Sequence, residues 1–279
     1  MAPLSALSIL AMEACGTGAQ WGISMVDALL LDLSGVLYDG ATVVPGALEA
    51  VERAQSSAMD IRFISNTSQK TRSRLLTHLR DLGFSLQGSQ LFTAVDAARQ
   101  WLEQRQLRPF CLVHQDIISE FANFDQHDPN AVFIADAAEG FTYRNLNRAF
   151  QLCMAGAPLL GIGHNRYYKS GDQLMMDAGG FVRAVEFAAG VEATIVGKPN
   201  TEFFRQVLAS TSAAPERTLM VGDDVFGDVE GAIQAGIRAC LVRTGKYLPG
   251  DESRISGDFH LVDSVTEAVD LALLPNSRS

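Results

Sequence analysis

The sequence predicts an α/β protein built on a doubly wound parallel sheet, with a second α/β domain inserted into it. Short apolar runs bounded by turn residues alternate with helical stretches after Met25, and the same alternation returns after about residue 191. Strand–helix–strand spacing of this kind calls for parallel strands joined by right-handed crossovers. The segment between the two blocks has strands and helices of its own. Together these observations predict a Rossmann-like sheet that is split by an insert.

The first block contains two strand–helix pairs. Val26–Leu33 is largely apolar, which is typical of a strand buried on both faces. Pro45–Ser57 reads as a helix that begins at a proline, as many helices do. Ile61–Ser65 is the second strand, and Lys70–Leu82 is a second helix that Gly83 ends.

The second block repeats this order, and the insert has its own pattern. The predicted elements of the second block are a strand over Ala193–Val196, a helix over Thr201–Ser210, a strand over Thr218–Val221, a helix over Asp228–Ala235 and a strand over Arg238–Arg243. In the insert we predict strands over Phe110–Val113, Ala131–Ile134 and Leu159–Gly163, and a helix over Tyr143–Ala155.

The 279 residues therefore divide into three parts. We expect a core domain formed by residues 25–91 and 191–279 and an inserted domain formed by residues 92–190. Residues 1–24 match neither pattern, and no basic residue precedes their apolar stretch, as one would in a signal peptide. We expect them to be a disordered leader or a misassigned start, with Met25 as the true start.

Composition excludes several classes of protein. Acidic residues outnumber basic ones by 32 to 22, which gives a net charge of -10 and argues against nucleic acid as a partner. No apolar run reaches the roughly eighteen residues that a membrane span needs. The four cysteines lie far apart, which is unlike zinc or redox motifs and fits a reducing cytoplasm.

Polar side chains stand at the ends of four predicted strands, where open parallel sheets place their ligands. The first is Asp32, which ends the run Ala28–Leu31 and precedes a glycine turn. A carboxylate at this position can act as a covalent nucleophile in phosphoryl transfer. Taken alone, the same aspartate is also typical of a turn or a helix cap.

Two further strand ends supply groups that suit a phosphate. Ser65 and Asn66 follow the second strand and can donate hydrogen bonds to phosphate oxygens, although Ser-Asn-Thr is also ordinary turn chemistry. Lys198 follows the strand over Ala193–Val196, where an ammonium group can stabilise a phosphoryl group in transfer. A lysine by itself is more often a solvated surface residue.

The fourth segment is the most specific. Asp223, Asp224 and Asp228 follow the strand over Thr218–Val221, and three acids so close together repel one another unless a cation lies between them. Mg²⁺ in proteins is held by one or two carboxylates together with water and substrate phosphate. A solvated acidic turn is the alternative.

The four segments in this order resemble the haloacid dehalogenase superfamily, and the resemblance covers roughly residues 26–274. An insert between the second and third motifs is similar to the C2 cap of that family's phosphatases. The resemblance implies that Asp32 is the nucleophile and that Lys198 bridges it to phosphate. It also implies Mg²⁺ as cofactor, held by the Asp32 and Asp223 side chains and the Ser34 backbone carbonyl, with Asp224 and Asp228 either in an outer shell or bound through water. Substrate would contact Asp32, Leu33, Ser34, Ser65, Asn66 and Lys198.

Ser34 departs from the family pattern, because most phosphatases of the superfamily have a second aspartate there as general acid and base. A serine hydroxyl cannot replace it, and the loss weighs most on leaving groups that need a proton. We therefore expect P–N, P–O–P or aryl phosphate bonds to be favoured over alkyl esters. Another expectation is that Ser34 marks a slow or decayed enzyme.

Several points stay open at this level. His164–Lys169 and Asp177–Phe181 of the insert could approach the substrate, or they could form an ordinary hairpin edge. The rival functions are a sugar- or nucleotide-phosphate phosphatase with another proton donor and a phosphate-binding regulatory protein with little turnover. The expected partner is a small phosphorylated substrate or a phospho-amino acid. Caps of this class often form dimers, so the resemblance implies a homodimer that no residue pattern indicates.

Overall fold

The computed structural model describes residues 26–170 and 173–274. The expectation for the leader and for Met25 lies outside these residues. The strands, in chain order, are β1 Ala28–Asp32, β2 Tyr38–Asp39, β3 Thr42–Val43, β4 Asp60–Ser65, β5 Leu91–Thr93, β6 Pro109–Leu112, β7 Ala131–Ile134, β8 Leu159–Gly161, β9 Tyr167–Ser170, β10 Gln173–Met176, β11 Thr194–Ile195, β12 Thr218–Gly222, β13 Arg238–Val242 and β14 His260–Val262. The α-helices are α1 Ala47–Gln55, α2 Arg72–Asp81, α3 Ala94–Gln104, α4 Tyr143–Met154, α5 Ala178–Ala189, α6 Thr201–Leu208, α7 Gly231–Gln234 and α8 Val265–Leu273.

Six strands form a parallel sheet in the order β14-β13-β12-β1-β4-β5. The predicted fold class is confirmed, because the chain alternates strands with helices and the strands run parallel. All five residues of β1 are buried, as the uninterrupted apolar run predicts for a strand covered on both faces. The central position of β1 puts its carboxyl end between those of β4 and β12.

Alternate residues of β1 contact two different hydrophobic layers, since successive side chains of a strand point to opposite faces. Leu29 and Leu31 pack in a cluster with residues of α1, α2 and α8. Leu30 packs in a second cluster with residues of α3, α6 and α7. The sheet is therefore covered by helices on both faces, as a doubly wound fold requires.

The insert has a four-stranded parallel sheet in the order β11-β8-β7-β6. Phe133 of β7 packs in the cluster that also holds Leu30, whereas its neighbours Val132 and Ile134 pack on a separate cluster with α4 and α5. One face of the insert thus shares its hydrophobic core with the larger sheet. This continuous apolar contact holds the insert against the larger sheet.

Two strands lie close to the expected domain boundaries. Thr194–Ile195, the shortened form of the strand predicted over Ala193–Val196, pairs with β8 and so extends the sheet of the insert. Leu91–Thr93 pairs with β4 and forms the edge of the larger sheet. The boundaries after residues 91 and 190 stay predictions, and both fall next to strands whose pairing crosses them.

The helix predicted over Asp228–Ala235 is wrong in its first half. The structure has a π-helical stretch over Val225–Glu230, which is followed by the short α7. The Asp224 side chain accepts a hydrogen bond from the Phe226 amide at 3.0 Å, and the Asp228 carboxylate accepts one from the Asp224 amide at 3.1 Å. The Val229 amide donates the backbone hydrogen bond of a π turn to the Asp224 carbonyl at 3.2 Å, and π turns are frequent at functional sites.

Within the described parts of the chain, no helix has the length and apolar character that crossing a bilayer demands.

Candidate active site

The predicted site residues come together at one edge of the larger sheet. Asp32 is the last residue of β1, Ser65 is the last residue of β4, and Asp223 directly follows β12. These strands are adjacent and parallel, so their carboxyl ends meet at the same edge. A cavity of about 310 Å³ opens there, and it is lined by Asp32, Ser34, Ser65, Asn66, Lys198, Asp223, Asp224 and Asp228.

Lys198 joins two of the carboxylates. Its Nζ lies 2.6 Å from Asp32 Oδ1 and 2.5 Å from Asp228 Oδ1. All three residues are nearly inaccessible to solvent, with exposed fractions of 4% for Lys198, 7% for Asp32 and 0% for Asp228. Burial alone would lower the pKa of Lys198, but the charges of Asp228 and Asp32 outweigh it and raise that pKa above its ordinary value. Lys198 is therefore a fixed cation next to Asp32.

The backbone of Lys198 is held by Asn66. Asn66 Oδ1 accepts a hydrogen bond from the Lys198 amide at 2.9 Å, and Asn66 Nδ2 donates one to the Lys198 carbonyl at 2.8 Å. The Asn66 side chain thus holds the backbone of the lysine, and because Asn66 also lines the cavity, its assignment to phosphate binding stays a prediction. Ser65 is 2% exposed and accepts a hydrogen bond from the Thr67 amide at 3.0 Å.

Asp32, Asp223 and Asp228 form a compact carboxylate group. One oxygen from each lies within 4.8 Å of the others, and all three residues are buried. Burial raises the pKa of Asp223 well above its ordinary range; Lys246 opposes this shift, while Asp32 and Asp228 add to it. Lys198 is shared by two of the three carboxylates, and the raised pKa of Asp223 shows that the negative charge of the third is poorly compensated.

This group fits a divalent metal ion. The Lys198 ammonium group contacts both Asp32 and Asp228, so these two buried carboxylates share one cation. Three buried carboxylates this close together are costly unless a further cation binds them. Mg²⁺ takes oxygen ligands of this kind and keeps several waters. Asp32, Asp223 and Asp228 are accordingly the residues that would hold it.

Asp224 belongs to a separate ion pair. Its Oδ2 lies 2.7 Å from Lys246 Nζ. Burial would raise the pKa of Asp224, but the charge of Lys246 and the hydrogen bonds that the carboxylate accepts together lower that pKa below its ordinary value. The sequence did not distinguish Asp224 from Asp228, because either residue could lie in the outer shell of the metal or bind it through water. The structure separates them, because Asp228 contacts Lys198 and Asp224 contacts Lys246.

Two glycines allow the Asp223 carboxylate into its position. Gly35 and Gly245 have positive φ angles of 86° and 66°, and a Cβ atom on either would collide with Asp223 Oδ2. The Lys246 amide donates a hydrogen bond to the same oxygen at 2.8 Å. Only glycine combines this backbone conformation with such a close approach. The turn after β1 and the turn after β13 together therefore fix one carboxylate.

Leu33 and Ser34 occupy the turn after Asp32. The Leu33 side chain is fully buried, and its carbonyl accepts hydrogen bonds from the amides of Leu37 and Tyr38 at 2.9 and 3.3 Å. The side chain of Leu33 is thus unable to contact a substrate. Ser34 is exposed and lines the cavity, so the position that departs from the family pattern faces the reaction space.

The insert contributes to the same cavity. Asn165, Tyr168, Asp177 and Gly179 line it, so both insert segments left open by the sequence approach the site. Tyr168 also belongs to the hairpin formed by β9 and β10, which means that the two interpretations of that segment hold together. The pKa of Asp177 is raised, chiefly by burial.

Lys246, Tyr38 and Asp136 are among the cavity-lining residues that sequence reasoning missed. Lys246 lies just after β13, and the strand-end rule that found Asp223 would also have found it. Tyr38, whose pKa is raised first by burial and then by the Asp32 charge, lies four residues after Ser34. Asp136 follows β7 of the insert, and no motif marks it. Its Oδ2 accepts a hydrogen bond from the Gln69 side chain, and its amide donates one to Ser68 Oγ at 3.1 Å.

Comparison with known proteins identifies the family. A haloacid dehalogenase-like hydrolase model matches residues 29–126, and a second model for HAD-type hydrolases matches residues 195–268. Phospholysine phosphohistidine inorganic pyrophosphate phosphatase of Rattus norvegicus is 45% identical over 265 residues, which span 91% of this chain and 98% of that protein. Haloacid dehalogenase-like hydrolase domain-containing protein 2 of Rattus norvegicus is 43% identical and covers 88% of this chain and 95% of its own.

Solved structures give the same result. The 4-nitrophenylphosphatase of Thermotoga maritima superposes with a TM-score of 0.80 at 25% identity, over 88% of this chain and 97% of that one. Fold, site geometry and relatives agree on a hydrolase that acts on phosphate compounds. The chain therefore belongs to the haloacid dehalogenase-like hydrolase family.

Proposed function

We propose that this protein is a magnesium-dependent phosphohydrolase that forms an aspartyl phosphate on Asp32 and favours P–N and P–O–P bonds. The observation that carries the proposal is the buried Asp32 carboxylate, fixed by Lys198 at 2.6 Å beside two further carboxylates at the sheet edge. A carboxylate in this setting has a defined direction of attack and little competing solvent.

The residues of the chain divide the work between attack and charge control. In the first step an Asp32 oxygen bonds to phosphorus, and the bond from phosphorus to the leaving group breaks and leaves its electron pair there. Lys198 keeps the attacking group oriented and places positive charge next to the phosphoryl oxygens. Bound Mg²⁺ supplies further positive charge that offsets the repulsion between phosphate and carboxylates. In the second step the oxygen of a water molecule bonds to phosphorus, the bond from phosphorus to the Asp32 oxygen breaks, and inorganic phosphate leaves while a water proton passes to solvent, which frees the Asp32 carboxylate.

Ser34 supports the choice of bond. It lines the cavity at the position where an acid would protonate the leaving group, and a hydroxyl cannot do so near neutral pH. A protonated phosphoramidate nitrogen and a leaving phosphate both depart without that help, whereas an alkoxide does not. The rat relative is named phospholysine phosphohistidine inorganic pyrophosphate phosphatase, and the compounds in that name have P–N or P–O–P bonds.

The proposed substrate is a small phosphorylated molecule or a phospho-amino acid, and the proposed location of the protein is the cytoplasm. A cavity of about 310 Å³ suits a ligand of that size. Cys111, Cys153 and Cys240 are free thiols, which supports a reducing compartment.

A substrate panel tests the proposal. Purified protein with Mg²⁺ is assayed on imidodiphosphate, phospholysine, pyrophosphate, p-nitrophenyl phosphate and a sugar phosphate. We expect turnover of the first four to exceed that of the sugar phosphate, and we expect Asp32→Asn to abolish turnover while circular dichroism stays unchanged. Equal turnover of the sugar phosphate would contradict the bond preference. Activity that survives in Asp32→Asn would contradict the nucleophile.

A further inference from the structure

Lys70 is a cation in the active-site cavity to which the proposed mechanism gives no role. It lies between the end of β4 and the start of α2, lines the same cavity as Asp32 and is half-buried. Burial lowers the pKa of Lys70 below its ordinary value. A half-buried ammonium group is stabilised when an anion occupies the space in front of it.

The other lysines of the cavity already have carboxylate partners. Lys198 is paired with Asp32 and Asp228, and Lys246 is paired with Asp224. By contrast, no carboxylate within the described ranges lies within 4.0 Å of the Lys70 ammonium group. Lys70 is therefore the cavity lysine whose charge is left for a ligand.

The backbone around Lys70 is held on both sides. Asn66 is bonded to Lys198 in the core, and Ser68 and Gln69 are bonded to Asp136 in the insert. Thr71 Oγ1 caps α2 by accepting a hydrogen bond from the Arg74 amide at 3.2 Å. The Cα atom of Lys70 is thus fixed at the cavity wall, and its side chain is presented from a rigid segment.

Asp136, an acid of the insert that lines the same cavity, already has hydrogen-bond partners. Asp136 Oδ2 accepts a hydrogen bond from Gln69, and Asp136 Oδ1 accepts one from the Ala138 amide at 2.8 Å. Both oxygens are held by neutral donors, and the carboxylate forms no ion pair within 4.0 Å of the Lys70 ammonium group. An incoming anion therefore does not have to displace Asp136 from Lys70.

We propose that Lys70 binds the second phosphate of a diphosphate substrate, namely the phosphate that leaves. This inference rests on the proposed function and deepens it. When Asp32 bonds to one phosphorus atom of pyrophosphate, the bond from that phosphorus to the bridging oxygen breaks, and the departing phosphate takes the electron pair. An ammonium group next to that phosphate stabilises the added negative charge without transferring a proton.

Lys70 and Ser34 sort substrates by different properties. Ser34 separates leaving groups by their need for a proton, which groups phospholysine and p-nitrophenyl phosphate with pyrophosphate. Lys70 separates them by charge, because pyrophosphate and imidodiphosphate carry a second phosphate that the other two lack. The charge of Lys70 should therefore matter for both diphosphates, whether the broken bond is P–O or P–N.

The test compares kcat/KM of the full chain on pyrophosphate and imidodiphosphate with kcat/KM on p-nitrophenyl phosphate, all with Mg²⁺. In Lys70→Met we expect the ratio of diphosphate to p-nitrophenyl phosphate turnover to fall about tenfold or more, as for the loss of a hydrogen bond between charged groups. Lys70→Arg should restore most of the ratio. Arg80→Met removes a charge from the exposed surface of α2, the helix that follows Lys70, and should leave the ratio unchanged.

Each result decides the matter. An unchanged ratio in Lys70→Met, or a wild-type protein that hydrolyses p-nitrophenyl phosphate but neither diphosphate, overturns the role of Lys70 and leaves the phosphohydrolase standing. A wild-type protein that turns over none of the substrates overturns the proposed function. Lys70 is then judged by calorimetry, in which Asp32→Asn should bind imidodiphosphate about tenfold more tightly than the Asp32→Asn, Lys70→Met double variant; equal affinities overturn the inference.

Discussion

The side-chain amide of Asn66 bonds to both backbone polar groups of Lys198, at 2.9 Å to the amide and 2.8 Å to the carbonyl. The two residues are 132 positions apart, and the whole insert lies between them. Asn66 follows a strand of the larger sheet, whereas Lys198 follows the last strand of the insert sheet. One amide therefore ties Lys198, the proposed catalytic cation, to the sheet that carries Asp32, the proposed nucleophile.

Loss of that amide should displace the lysine without removing it. For Asn66→Ala we expect kcat to fall by about 10- to 100-fold, because small misplacements of a catalytic group cost rates of this order. Steady-state kinetics on p-nitrophenyl phosphate measure the change. Asn145→Ala, which removes a side-chain bond to the Gly140 carbonyl in the insert, is the matched control. Equal kcat in both variants would show that Asn66 does not position Lys198.

A carboxylate in place of Ser34 should widen the range of substrates. In Ser34→Asp we expect the ratio of kcat/KM on a sugar phosphate to that on p-nitrophenyl phosphate to rise by about 10-fold or more, because a general acid then protonates the alkoxide. The side chain introduced by Ser34→Asn has nearly the same size as aspartate but is not an acid, so this variant should not raise the ratio. A similar rise in both variants would mean that size, and not proton donation, sets the preference.

Mg²⁺ should stabilise the fold through the three buried carboxylates. A ligand that binds only the native state adds about 2.7 kcal/mol at 100 times its Kd, which corresponds to a rise in Tm of roughly 5 °C or more for a chain of this size. Thermal unfolding with Mg²⁺ and with EDTA measures the shift. Asp223→Asn should reduce it, whereas Asp263→Asn, at an exposed ion pair with Arg243, should not. An undiminished shift in Asp223→Asn would place the metal elsewhere.

Substitution by alanine should be much more damaging at Gly245 than at Gly190, a glycine with the same φ angle. Gly245 and Gly190 both have φ of 66°, but a Cβ on Gly245 collides with Asp223, whereas a Cβ on Gly190 meets no atom within 4 Å. Gly190→Ala should cost about 1 kcal/mol of stability from the backbone alone. Gly245→Ala should lose more stability and most of its turnover, as measured by denaturant unfolding and by kinetics. Equal effects in the two variants would mean that the close approach to Asp223 has no role.

Local patterns were enough for the four inner strands of the larger sheet, β13, β12, β1 and β4, but they missed its two edge strands, β5 and β14. The apolar run before Asp32 predicted β1, and the rule that ligands gather at strand ends placed Asp32, Ser65 and Asp223 together. That rule uses only the direction of parallel strands, which short stretches of sequence reveal. Lys246 follows the same rule after β13 and was missed because its ammonium group stands alone, without the acidic neighbours that mark Asp223.

Contacts between residues that are distant in the chain could not be predicted from local sequence patterns. Asn66 was assigned to phosphate because a strand-end amide suits phosphate, and no local pattern shows that Lys198 takes both of its polar atoms. The π-helical stretch over Val225–Glu230 was also missed, since no local pattern shows that the Asp228 carboxylate accepts a hydrogen bond from the Asp224 amide. Asp136 approaches the cavity only through the packing of the insert, which hydrophobic patterns do not orient.

The central position of β1 has a consequence for the synthesis of the chain. One neighbour of β1 is β4, which follows soon after it, but the other is β12, which starts at Thr218. At ordinary rates of translation, roughly 10 to 40 s pass between the synthesis of β1 and the synthesis of β12. During that time one edge of Leu29–Leu31 has no strand beside it, and an unpaired apolar edge invites association with other chains. We therefore expect ribosome-bound chains that end before Thr218 to need chaperones, and chains that extend beyond Gly222 to need them less.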